Sequence, residues 1–68
     1  MPMRNPASNV IYRVSVVRQG VRRTADFPQA WARQVIIDAV RLGFEVSFRR
    51  LPPEAPLLPR VQEEELLK

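Results

Sequence analysis

The stretch Val10-Ile11-Tyr12-Arg13-Val14-Ser15-Val16-Val17-Arg18-Gln19-Gly20-Val21-Arg22-Arg23-Thr24-Ala25 decides how this chain folds. Its first nine residues are β-branched and aromatic and nearly alternate, which is the pattern of a half-buried strand. Tyr12, Val14 and Val16 then share one face, and Arg13, Ser15 and Val17 the other. Gln19-Gly20 brings a glycine that can take positive φ in a tight turn. Val21 to Ala25 returns as a second short strand, so the stretch predicts a β-hairpin.

Working outward, the next element is a helix. Asp26 is a favoured N-cap, Pro28 is pre-set for a first helical turn, and Gly43 suits the residue after a helix end. A helix is therefore predicted from Asp26 or Phe27 to Gly43. At about 100° per residue, Trp31, Ala32, Val35, Ile36, Ala39 and Leu42 fall on one face, with Val40 at its border. Arg33, Gln34, Ile37, Asp38 and Arg41 take the other face. Beyond it, Phe44, Val46 and Phe48 alternate with Glu45, Ser47 and Arg49 in a third strand that Pro52-Pro53 stops.

A right-handed crossover through one helix sets the third strand beside the first and parallel to the second. The expected fold is α+β, a small two-layer ββαβ domain with a three-stranded antiparallel sheet in the order 2-1-3 and one helix on one face. The expected core is Tyr12, Val14, Val16, Val21, Ala25, Trp31, Val35, Ile36, Ala39, Leu42, Phe44, Val46 and Phe48. Residues 10–53 form the domain. Residues 1–9, with two prolines and no periodicity, read as a flexible N-terminal arm. Residues 54–68 read as a proline-rich and acidic C-terminal tail, extended at first and then a short helix from Arg60 to Lys68.

The chain has 68 residues, a single-domain length near the lower limit for one hydrophobic core. With no cysteine to staple it, such a domain relies on packing, on its tail or on a partner. The prediction is that the tail docks on its own domain, a neighbour or a partner. The absence of cysteine and histidine removes thiolate zinc sites, a cysteine nucleophile and the commonest metal ligand and general base. Asp26, Asp38, Glu45 and Glu54 stand apart, and no paired-carboxylate, phosphate-loop or nucleophile-elbow spacing occurs. The chain reads as a non-enzyme with no catalytic residue, metal or cofactor. No apolar run approaches the roughly 20 residues of a membrane span, and the first residues lack a signal peptide's apolar segment, so a cytoplasmic location is expected.

Charge is the strongest functional clue. The net charge is +4, and all basic residues but one are arginine. Residues 1–53 carry nine arginines against three carboxylates, whereas residues 54–68 carry Arg60 and Lys68 against four glutamates. If Tyr12, Val14 and Val16 face the helix, Arg13, Arg22 and Arg49 share the bare sheet face, with Arg18, Arg23 and Arg50 at its rims. Ser15, Thr24 and Ser47 between them leave room for a phosphate backbone. The leading expectation is thus a small nucleic-acid-associated protein. The alternative is a protein-interaction module or accessory subunit of a larger machine, using the basic sheet against an acidic protein surface or Leu57-Leu58 as an anchor. A homodimer through the exposed edge of the second or third strand is a third role. Ile37, the one apolar residue on the polar helical face, and Leu57, Leu58, Leu66 and Leu67 are the candidate interface residues. The acidic run Glu63 to Glu65 is a candidate for folding over the basic sheet. The bland reading of the arginines is a solvated antiparallel face.

Overall fold

The computed structural model describes residues 10–68, and the expected N-terminal arm lies outside them. β1 (Ile11–Arg18) and β2 (Val21–Pro28) form the hairpin. Gln19 and Gly20 both adopt left-handed backbone, with φ of 55° and 78°. This is the double positive-φ arrangement of a type I′ turn, whose twist matches that of the flanking strands.

β2 runs on to Pro28 instead of stopping at Ala25, and α1 (Gln29–Arg41) starts after it. Asp26 is therefore not a helix cap. Pro28 holds the N-cap position with φ −57° and ψ 151°, and no side chain caps the helix. The cause lies across the hairpin. Asp26 pairs with Arg13 in the ladder, and that guanidinium donates to both its carboxylate oxygens, a charged forked contact stronger than one helix N–H supplies.

At the other end Leu42 closes α1 and Gly43 takes φ 89°. The Gly43 N–H donates to the Val40 carbonyl at 3.1 Å and the Phe44 N–H to that of Ala39 at 3.0 Å. These are the paired bonds of a Schellman C-cap, and they turn Phe44 down into the core. β3 (Glu45–Arg50) then pairs antiparallel with β1, giving the sheet order β2-β1-β3 with α1 across one face.

The core is Val14, Val16, Ala25, Phe27, Ala32, Val35, Ala39, Phe44 and Leu66. It departs from expectation on both sides. Val21, Trp31, Leu42 and Phe48 are each more than half exposed. The buried stripe of α1 is the narrow one through Ala32, Val35 and Ala39, so Trp31 stands at its border and leans on Phe27, their ring centroids 6.4 Å apart. Phe27, Leu51 and Leu66 are buried although none was expected in the core.

The tail supplies Leu66. After Leu51, whose N–H extends the ladder to the Ile11 carbonyl, the chain turns at Pro52 to Ala55 and crosses the end of the open sheet face. There the Pro56 carbonyl accepts from Arg13 and the Leu58 N–H donates to Asp26. The tail then rounds the corner at Phe27 and Pro28 and ends in α2 (Glu63–Leu66) on the helical side, against β2. No helix among the described residues is long and apolar enough to cross a membrane.

Candidate functional site

On the face away from α1 the three strands set their side chains in rows. Asp26, Arg13 and Arg49 form the first, Thr24, Ser15 and Ser47 the second, and Arg22, Val17 and Glu45 the third. Alternation therefore brings Arg13, Arg22 and Arg49 to one face as the sequence predicts. It does not make them a cluster. Arg22 and Arg49 occupy opposite corners, about 13 Å apart along the strands alone. Asp26 and Glu45 share the face, so three cations meet two carboxylates.

Three of the six candidate arginines have partners within the fold. Arg13 donates Nε–H to Asp26 at 2.7 Å, and its Nη2 is within 2.9 Å of both Asp26 and the Pro56 carbonyl. That guanidinium, with the Leu58 N–H, holds the Asp26 carboxyl below its usual range against the opposing effect of burial. Arg18 lies 4.2 Å from the centre of the Phe44 ring and donates to the Leu42 carbonyl at the C-terminus of α1, where the helix dipole favours a cation. Arg23 faces the helical side and donates to the carbonyls of Glu65 and Lys68, fastening the end of the tail. Arg22, Arg49 and Arg50 are exposed and make no side-chain hydrogen bond to any described residue.

The candidate interface residues divide too. Leu66 is 1% exposed and belongs to the core, so it offers nothing to a partner, and Leu67 packs against that core half-buried. Leu57 is exposed beside Trp31, while Leu58 is half-buried. Ile37 is exposed and lines a groove. The acidic run does not cover the basic face. Glu63 stands on the helical side against Asp38, whose pKa is lowered first by the Glu63 carboxyl hydrogen bond and next by that of Gln34, while Glu63 is pushed up by the same carboxyl contact.

That groove is the feature sequence reasoning missed. It is an open hollow of about 300 Å³ between α1 and β3, lined by Tyr12, Ala32, Ile36, Ile37 and Phe48 with Gln29 and Arg33 at its rim. Phe48 faces the helix layer as expected, meeting Tyr12 edge-on at 6.2 Å, but the layer is too narrow to cover it and 55% of it stays exposed. Alongside runs the outer edge of β3. Leu51 bonds to Ile11, so alternation directs the backbone groups of Glu45, Ser47 and Arg49 toward β1 and those of Val46, Phe48 and Arg50 outward. Among the described residues no backbone group pairs with that edge. The order 2-1-3, itself legible in the sequence, was the available signal. It makes the third strand an edge, and a helix that buries only the narrow stripe of Ala32, Val35 and Ala39 leaves Phe48 on that edge uncovered.

Among the described residues there is no group of three or more acidic, histidine or cysteine side chains placed to hold a metal. Comparison of the chain with protein-family models, with curated proteins and with solved structures finds no match.

Proposed function

We propose that this protein is a small interaction module that takes up an extended segment of another polypeptide as a fourth strand along β3. The observation that carries this reading is the conjunction of an unpaired strand edge with an exposed apolar groove beside it, Phe48 standing between the two. Strand addition needs both parts: main-chain hydrogen bonds supply affinity, and a pocket for alternate side chains supplies specificity. Glu45 and Arg49, exposed along the same edge, favour a segment that carries charges of both signs beside an apolar side chain. Selection of binding peptides from a random library, followed by amide chemical-shift mapping on the full chain, tests it. Shifts concentrated at Val46, Phe48, Arg50 and Ile37 are expected. Peptides that map to the hairpin or the tail would overturn it.

A second reading, contact with nucleic acid, is favoured by Arg22, Arg49 and Arg50, which are exposed and without a bonded partner among the described residues, and by Phe48, an exposed ring on which a base can stack. With Arg13, Arg18 and Arg23 held inside the fold, about three phosphate contacts remain. The log of affinity should then fall with the log of salt at a slope near −2 to −3. Binding that is indifferent to salt, or to alanine at those three arginines, would exclude it.

A further inference from the structure

We infer that the strand that fits the edge of β3 is β3 of a second copy, paired antiparallel about a two-fold axis through Ser47. This rests on the strand-addition reading above and names its partner. Both copies must offer outward-pointing backbone groups, so the residues that exchange hydrogen bonds come from Val46, Phe48 and Arg50. Only a few registers satisfy that condition.

Centred on Ser47, the pairing sets Val46 opposite Phe48 of the second copy, and Phe48 opposite its Val46. On the other face it sets Glu45 opposite Arg49 of the second copy, twice by symmetry. A two-fold interface is self-complementary, so one favourable pair counts double.

The neighbouring registers lose this. A centre at Phe48 places Arg49 against Ser47 and Glu45 against Leu51. A centre at Arg49 places that arginine against itself, a destabilising like-charge pair. A centre at Val46 leaves Glu45 against Ser47 and Arg49 against Gly43.

The needs of these two residues inside one chain point the same way. Glu45 faces Val17 across the ladder, and Arg49 faces Arg13, a like charge already committed to Asp26. Neither has a bonded partner among the described residues, and both are exposed at the edge. Pairing two copies extends the first row to Asp26, Arg13, Arg49, then Glu45 of the second copy. On the helical face, the two copies of β1 lie three strand spacings apart, about 14 Å. The two grooves then meet across the axis, and the Phe48 rings fill the trough between the helices.

Light scattering and sedimentation of the full chain over a concentration series reaching the millimolar range test this, with charge exchange at the two positions. The wild type should pass from monomer to dimer. Glu45→Arg and Arg49→Glu should each weaken self-association about tenfold or more, because each sets like charges opposite one another. An equimolar mixture of the two variants should form a heterodimer at least as tight as the wild-type dimer, an outcome no folding defect produces. Val46→Pro, which removes an outward N–H and leaves the ladder to β1 intact, should abolish dimers.

A wild type that stays monomeric throughout, or a dimer indifferent to all three substitutions, overturns the pairing. If the wild type stays monomeric while selected peptides still map to β3, self-pairing falls and strand addition stands. If the peptides map elsewhere, strand addition falls as well.

Discussion

Gln19 holds φ at 55°, a conformation that favours glycine, because a two-residue turn between strands of this twist demands it. Replacing Gln19 by Gly, which meets no Cβ penalty there, should raise the free energy of unfolding by about 1 kcal/mol in urea titrations. Asp26 is a second residue whose role is set by its neighbours. Its 5% exposed side chain accepts from Arg13 and from the Leu58 N–H, joining β1, β2 and the tail at one carboxylate. Its pKa is lowered in the fold, so its contribution is fully present above its ordinary value near 3.8 and is lost as the pH falls through its folded value. Asp26→Asn should therefore lower the melting temperature at neutral pH and flatten its dependence on pH in the acid range. A melting curve as steep in acid as that of the wild type would rule out this role. The sequence made Asp26 a cap because capping is local. The competing partner, Arg13, is thirteen residues away and becomes its neighbour only when the hairpin register is set.

At the scale of elements, the tail is the part whose placement most affects the fold. α2 is four residues long and cannot be stable by itself, so it exists because Leu66 enters the core. Leu66→Ala should cost about 2–5 kcal/mol, whereas Leu57→Ala, on a side chain that is 59% exposed, should cost under about 0.5 kcal/mol. Equal losses at the two sites would mean the tail is docked otherwise.

The contact between α1 and α2 carries its own pH dependence. Glu63 is raised in pKa by the Asp38 carboxyl hydrogen bond, so its contribution is present below its ordinary value and is lost as pH rises through the folded value, while Asp38 responds in the opposite sense. Glu63→Gln keeps a donor to Asp38 at every pH and should raise thermal stability at neutral pH, which calorimetry at two pH values would read. Strand, turn and helix end were legible because alternation, Gly20 and Gly43 act within a few residues. The docking of Leu66 was not, because Val61, Leu66 and Leu67 have no local pattern that distinguishes a core they join from a partner they await.

Across the whole molecule, the charge that suggests nucleic acid is distributed by a fold that uses half of the candidate arginines internally. Arg13, Arg18 and Arg23 each bind a carbonyl of a distant segment, at Pro56, Leu42 and Glu65. Composition counts such residues as surface cations because nothing in the linear order marks which carbonyls they will meet. Of the six candidate arginines, Arg22, Arg49 and Arg50 make no side-chain hydrogen bond to a described residue and stay open to an external anion, so their triple alanine variant should fold with little change in melting temperature. By contrast, Arg23→Ala should loosen the tail, seen as faster amide exchange at Leu66 and Leu67.

The tail lies against β2, from Leu58 at Asp26 to Lys68 at Arg23, while β3 stays bare. A sheet open on both sides can add copies without limit and grow into a fibre. The tail reaches β2 through the side chains of Asp26 and Arg23, and among the described residues no backbone bond joins it to the outer groups of that strand. The last fifteen residues thus make the two sides of the sheet unequal: a strand arriving along β2 meets the tail's bulk at Asp26 and Arg23, whereas one arriving along β3 meets none of it.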